Sequence, residues 1–348
     1  MKTVALIHYR FLKKGGLESR LFNYIEYFVR HGYQVTVLAT KMDPNLSLPP
    51  NVTYKRISIG PIPKIFRQLF FARAIERFLS TNTFDYCLSL GRTFGQPLII
   101  DGGNHTGYMK CLNIKRKSLK DRINLYLDKK AYNQSRTIFA CSRFVKNFNI
   151  DGYQTDPDKI VIAYPPINIE KFNTELRKNR DALKEEFGIN RDKITFLFVS
   201  TGHIMKNLRF LLELFNHLDS TKYELIIAGS KPKKKLPPNA KYIGYVDHPR
   251  RIYSSVDFTI HPALYEPFGQ VIAESIQCGT PVIVSKNVGA KELIESNEGL
   301  IIRSFKLKDW IETVKNLDAS DFSIKEGFAQ RNGITLEQHM SILLEQNT

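Results

Sequence analysis

The stretch EPFGQVIAESIQCGTPVIVS, residues 266–285, decides how the rest of the chain is read. Glu266 and Glu274 stand eight positions apart in it, with Pro267 and Gly269 between them and Gly279 behind. DFTIHPA (257–263) before it and PVIVS (281–285) at its end have the apolar content of short buried strands. Glu266 therefore falls in the loop after a strand, and Gly269 opens a helix that runs to about Gln277 and stops at Gly279. The first N–H groups of a helix have no partner within it, so those of Phe268, Gly269, Gln270 and Val271 are expected to form an anion site. Glu274 lies about one turn further in. An ionised carboxylate only accepts hydrogen bonds and so matches a pair of neighbouring sugar hydroxyls. A ribose at Glu274, phosphates over the helix start and a second sugar at Glu266 would lie in that order along one nucleotide-sugar, although the spacing alone fits equally an exposed helix charge at Glu274 and a plain loop acid at Glu266.

Working outward, the same alternation recurs. KITFLFVS (193–200) reads as a strand, NLRFLLELFNHL as a helix, YELIIAG (223–229) and KYIGYV as strands, and RRIYSSV as a helix. The chain also opens this way: VALIHY (4–9) reads as a strand, LESRLFNYIEYFVRHG as an amphipathic helix ended by Gly32, and YQVTVLAT (33–40) as a strand. Strand alternating with helix argues a parallel sheet covered on both faces. The expectation is an α/β chain of two doubly wound domains, residues 1–165 and 166–330, with a helix within 331–348 packing back on the first. Open α/β sheets bind ligands beyond the carboxyl ends of their strands, so two such domains would share a cleft there.

Length and composition agree with this. The 348 residues are 43% hydrophobic and 24% charged, and no apolar run approaches the ~18 residues of a membrane span. The four cysteines lie far apart, without metal-ligand or disulfide-framework spacing, which reads as reduced thiols in a cytosolic protein. DPD (156–158) sits in a polar turn, and no metal is invoked for it. The charge is uneven. Residues 1–165 carry 26 basic and 11 acidic side chains, net +15, whereas 166–348 carry 25 and 23, net +2. The first half is thus expected to meet something anionic. Residues 110–146 hold 11 Lys and Arg against 2 acids, and both SLKDRINLYLDKKAYNQS and PKIFRQLFFARAIERFL (63–79) have the look of basic amphipathic helices. Peripheral attachment to an anionic membrane surface is the expectation. The chain carries no recognised nucleic-acid motif, no G-x-G-x-x-G after the first strand and no P-loop.

With HPALY before it and VGAKELI after it, the segment 266–285 resembles the donor-binding signature of the group 1 glycosyltransferases of the retaining type. These have the GT-B fold of two Rossmann-like domains facing a central cleft. FVSTGHIMKN is similar to the family segment ending in a phosphate-binding lysine, here Lys206. LIIAGS resembles a strand end at Gly229, YIGYVDHPRRIYSSV a stretch in which Val246 meets the base through its backbone, and KKGGLESR the loop that brings Gly15 and Gly16 to the donor phosphates. The resemblance implies that Glu266 contacts the transferred sugar and Glu274 the ribose. Many members also carry an arginine about six residues before the lysine, where Ser200 and Thr201 stand here, with His203 or Arg209 as substitutes.

DGGNHTGYMK (101–110) follows the apolar PLII and reads as a tight loop presenting Asp101, Asn104 and His105. Its G-x-H-x-x-Y-x-K pattern resembles transferases of the lipopolysaccharide core. The resemblance makes His105 the catalytic candidate beside Glu266, with Asp101 and Asn104 as acceptor contacts. What it implies is a cytoplasmic, peripherally membrane-attached enzyme. Such an enzyme moves a hexose-type sugar from a nucleotide diphosphate donor, UDP by family frequency, to a lipopolysaccharide-core or lipid-linked glycan. It does so without metal or other cofactor. A transferase of capsule or other surface polysaccharide, or a non-catalytic nucleotide-sugar-binding subunit, would carry the same signature.

Overall fold

The computed structural model describes residues 1–12 and 15–346, so Lys13 and Lys14 of the KKGGLESR segment lie outside the described residues. The chain divides into two compact units, Met1–Pro166 together with the segment from Leu336 onward, and Ile167–Thr335.

In the first unit the elements follow as β1 (Thr3–Ile7), α1 (Gly16–Arg30), β2 (Gln34–Ala39), β3 (Val52–Arg56), α2 (Arg67–Leu79), β4 (Tyr86–Ser89), β5 (Leu98–Asp101), α3 (His105–Cys111), α4 (Leu119–Gln134), β6 (Thr137–Ala140), α5 (Arg143–Tyr153) and β7 (Ile160–Ile162). All seven strands run parallel in the order β3-β2-β1-β4-β5-β6-β7. The inner strands read as largely apolar runs because helices cover both faces of the sheet, whereas the edge strand β3, VTYKR, buries only Val52. Tyr24 and Phe28 of α1 pack on one face with Val4, Leu6 and Leu88, while Phe71 and Ile75 of α2 pack on the other with Ala5, Ile7 and Cys87. Burying one such phenylalanine contributes about 2–3 kcal/mol.

The second unit runs α6 (Arg180–Glu186), β8 (Ile194–Ser200), α7 (Leu208–Asn216), β9 (Tyr223–Gly229), β10 (Ala240–Gly244), α8 (Pro249–Ser255), β11 (Phe258–His261), α9 (Gln270–Gln277), β12 (Val282–Ser285), β13 (Gly299–Ile302), α10 (Leu307–Lys315) and α11 (Phe328–Arg331). Its six parallel strands are ordered β10-β9-β8-β11-β12-β13. The core joins Phe196, Phe198 and Ile227 of the sheet to Leu211 and Phe215 of α7 and Trp310 of α10.

The last helix, α12 (Leu336–Glu345), returns to the first unit. Met340 and Leu343 enter the core beside α1, the Tyr24 hydroxyl pairs with His339 Nε2 at 2.6 Å, and the Tyr86 hydroxyl donates to the Leu343 carbonyl at 3.2 Å.

One local expectation is corrected. The tight loop expected over 101–110 is confined to 102–104. Asp101 ends β5, and the chain turns at once into α3, whose N-cap Asn104 accepts from the Gly107 N–H.

Candidate active site

Both sheets reverse their strand order at one point, between β1 and β4 in the first unit and between β8 and β11 in the second. At such a point two successive connections leave in opposite directions and open a crevice beyond the strand ends. In the second unit Lys206 lies in the loop after β8, and Glu266 in the loop after β11. Lys206 Nζ and Glu266 Oε2 are 3.8 Å apart, each side chain one-fifth exposed. The backbone holds them there. Leu264 N–H donates to the Met205 carbonyl at 2.8 Å, Glu266 N–H to Asn287 O at 2.9 Å, and Gly289 N–H to Glu266 O at 2.9 Å.

Glu266 has a second neighbour that the sequence reading did not single out. His261, the last residue of β11, is fully buried and its Nε2 lies 3.2 Å from Glu266 Oε2. Burial disfavours charge on both. It holds His261 below its ordinary value, so the ring is neutral at neutral pH and Nε2–H donates to the carboxylate. For Glu266 burial is outweighed by the charge of Lys206 and the His261 bond, and its pKa falls below the usual carboxylate range. A donor one shell behind an acid has no signature in spacing, so only the fold reveals it.

Gly269, at φ 100°, caps α9, and the helix begins at Gln270 and Val271 with no side-chain cap. Phe268 is buried, and its carbonyl accepts from Ala290 N–H at 2.7 Å, which pins the turn. Glu274 follows on the second turn, its Oε2 accepting from the Tyr253 hydroxyl of α8 at 2.9 Å. Burial pushes the Glu274 pKa up to about 7, against the Tyr253 bond and the charges of Lys171 and Lys206. A half-charged acid with one bound donor has room for two further donors, such as a vicinal diol.

Gly229 ends β9 at φ 111°, where a Cβ would lie 2.2 Å from the Ser200 carbonyl oxygen, so only glycine lets β8 and β9 end side by side. Val246 is half-buried in the loop between β10 and α8, next to the exposed Tyr245. His203 has both ring nitrogens engaged, Nδ1 with Ser200 Oγ at 3.0 Å and Nε2 with the Ser230 carbonyl at 2.9 Å, which leaves neither for a phosphate. Arg209 sits exposed on α7.

In the first unit, Gly15 is the N-cap of α1 and Gly16 its first residue, again without a side-chain cap. Gly102, in the loop after β5, packs against Leu17 of that helix, so the Gly15-Gly16 turn and the 101–105 segment are brought together. Asp101, Asn104 and His105 stand together at the end of β5 and the start of α3. All three are buried. Asp101 accepts from Gly103 N–H (2.8 Å) and from the amides of Asn149 (2.8 Å) and Asn104 (3.3 Å). Burial and the nearby charge of Asp128 raise its pKa despite these bonds. The polar atoms of Asp101 and Asn104 thus hold the segment together.

His105 has its Nε2 2.8 Å from Asp121 Oδ1, stacks on Tyr108, and donates its backbone N–H to Asp128 Oδ2 at 2.7 Å. Asp121 belongs to a capping box with Ser118 at the start of α4. Its pKa is lowered by the Ser118 and His105 bonds against burial. Asp128, fully buried, also binds the Arg92 guanidinium and accepts from the Tyr153 hydroxyl at 2.6 Å.

Two family models match the chain, "Glycosyltransferase Family 4" over residues 14–171 and "Glycosyl transferases group 1" over residues 179–321. A protein of Burkholderia thailandensis, named "Probable transglycosylase", is 25% identical over 339 residues, which is 95% of this chain and 93% of that one. Among solved structures, WaaG, a glycosyltransferase involved in lipopolysaccharide biosynthesis, matches with a TM-score of 0.79 and 16% identity over 99% of this chain and 95% of its own. Anabaena HepE, in complex with UDP and glucose, matches with a TM-score of 0.75 and 15% identity over 99% of both chains. At those identities the likeness is one of fold, two Rossmann-like domains of the GT-B type. The family models between them take in both units, and the chain belongs to the group 1 glycosyltransferases.

Proposed function

We propose that this glycosyltransferase moves a hexose-type sugar from a UDP-sugar to a lipopolysaccharide-core or lipid-linked glycan acceptor, with the anomeric configuration kept. The observation that carries the reading is the Lys206–Glu266 pair across the β8/β11 strand reversal, with Glu274 on the next helix. It is supported by HepE, a neighbour in fold solved with UDP and glucose, and by WaaG, named for lipopolysaccharide biosynthesis.

In this reading Glu274 and Tyr253 receive the ribose, and the backbone of Val246 and Gly229 lies along the base. The diphosphate lies over the start of α9 at Phe268, Gly269, Gln270 and Val271, near Lys206. As the glycosidic bond breaks, negative charge grows on the diphosphate and positive charge on the sugar. Lys206 and the α9 dipole stabilise the first, and the ionised Glu266 the second. His261 keeps Glu266 charged and aimed. In the first unit His105 is the catalytic candidate of this reading, its ring oriented by Asp121. A diphosphate is a fair leaving group, so the reading uses no metal and no other cofactor.

Among the described residues no helix is long and apolar enough to cross a membrane. Leu119 and Tyr126 stand exposed on α4, and Phe70 on α2, among lysines and arginines. A basic surface with exposed apolar side chains suits peripheral attachment to the inner, anionic face of the cell membrane.

Calorimetric titration with UDP, GDP and ADP, on the wild type and Glu274→Ala, tests the donor reading. Micromolar binding of UDP that the variant loses is the expected result. Binding of GDP or ADP instead would replace the donor class, and no binding of any of the three would sink the reading.

A further inference from the structure

A cleft of about 610 Å³ opens in the first unit between α3, α4 and α5. Its apolar lining is Met109, Ile114 and Leu125, and three lysines, Lys110, Lys117 and Lys129, stand among them. None of the residues given above to the donor lines it, and its link to His105 is through Tyr153, whose hydroxyl bonds Asp128 behind that residue.

The lysines are nearly uncompensated. Lys110 reaches Asp151 only at 3.7 Å, both side chains more than half exposed, and also lies over the Phe148 ring at 5.6 Å. Among the described residues Lys117 and Lys129 have no ion pair. Three ammonium groups around one hollow repel one another, and that arrangement is relieved when an anion with several acceptor oxygens enters. A phosphate or diphosphate has the charge and the oxygens. The apolar lining adds a second requirement, because a bare inorganic anion gains nothing from Met109, Ile114 and Leu125 while an attached hydrocarbon does. Leu119 and Tyr126 are exposed on the same α4 that supplies Leu125 and Lys129.

We propose that this cleft binds a lipid-borne phosphate, the phosphate ester or diphosphate at the end of an apolar chain, held by Lys110, Lys117 and Lys129 with the first part of the chain against Met109, Ile114 and Leu125. Bulk membrane phospholipid and a phosphorylated lipid carrier share this chemistry. The inference stands apart from the donor reading, since its ligand carries no nucleotide.

The test uses monomeric probes, so that no membrane is present: dihexanoyl phosphatidic acid, geranyl diphosphate and pyrophosphate, each titrated calorimetrically into the full chain. Two double variants are compared with it. Lys117→Gln/Lys129→Gln removes two cleft charges, and Lys120→Gln/Arg122→Gln removes two charges from the same helix outside the cleft. All four side chains are exposed, so both should fold. The expected result is that a lipid probe binds more tightly than pyrophosphate and loses roughly tenfold or more in the cleft variant. The other variant should keep its affinity, and the lipid probe that binds better names the source of the ligand. Pyrophosphate binding as tightly as both lipid probes, equal losses in the two variants, or no binding of either lipid would overturn the proposal. So would a signal that Lys206→Ala abolishes, because it would belong to the second unit.

Discussion

Lys206 Nζ lies 3.8 Å from Glu266 Oε2, so the cation assigned to the donor phosphates and the acid assigned to the transferred sugar face and neutralise one another. The pair reaches from the loop after β8 to the loop after β11, and the neutral His261 supports it from behind. A donor would replace a protein carboxylate by a diphosphate as the partner of Lys206. Glu266 would then keep only His261 and become available to sugar hydroxyls.

Lys206→Met therefore acts on two groups at once. Nucleotide affinity is expected to fall by roughly 10- to 100-fold, the worth of one charge-assisted hydrogen bond. The Glu266 pKa should rise, since burial then acts with less opposition. Calorimetry with UDP measures the first effect and carboxyl-labelled NMR titration the second. An unchanged affinity would remove Lys206 from the donor site.

Glu274 gives the opposite sign. Its folded pKa, about 7, lies above its unfolded value of 4.5, so the carboxylate is disfavoured by the fold. The unliganded protein should gain stability from this group as pH falls from above 7 towards 4.5. Nucleotide binding by the ionised acid should weaken over the same range. Glu274→Gln keeps an acceptor for Tyr253 and removes the buried charge, so it should raise Tm at pH 8, by about 1–3 kcal/mol of stability, while losing UDP affinity. A variant that both binds UDP normally and melts unchanged would contradict the ribose assignment.

The two units and most of their strands are legible in the sequence, because buried parallel strands are apolar throughout and glycines mark where they turn. KITFLFVS, YELIIAG and PVIVS appear as β8, β9 and β12 within a residue at either end. The Glu266–Glu274 segment is equally legible, since strand, turn and helix are local. What spacing does not carry is contact between distant segments. Tyr253 meets Glu274 from another helix, Asp121 and Asp128 meet His105 from α4, and none of these pairs has a periodicity. The 101–110 segment misleads for a physical reason. Gly-Gly-Asn has the composition of a turn, but here the asparagine is buried, caps a half-buried helix, and spends its amide inside.

Asp128 is the centre of the first unit's polar interior, accepting from the His105 backbone, the Tyr153 hydroxyl and the Arg92 guanidinium. Asp128→Asn leaves Arg92 without its counter-charge and turns one acceptor into a donor facing donors. A loss of about 3 kcal/mol or more in urea unfolding is expected. Arg92→Met added to it should cost much less than the sum of the two single changes, because the stranded charge is gone. Additive losses would mean that the two groups act independently.

The last helix should be the acid-sensitive part of the fold. His339 is fully buried against Tyr24, and burial together with the charge of Arg20 lowers its pKa to about 3. Above the ordinary histidine value of 6.5 neither folded nor unfolded chain is protonated there, and the group has no pH effect. Below it the unfolded chain takes up a proton that the folded one refuses until about pH 3, so stability falls steadily across that window. His339→Phe should remove this slope while losing the Tyr24 hydrogen bond, which lowers stability at pH 8 by about 1 kcal/mol. Hydrogen exchange of α12 between pH 7 and 5, corrected for intrinsic rates, should show its protection eroding in the wild type and holding level in the variant. Protection that declines equally in both would place the acid lability elsewhere in the first unit.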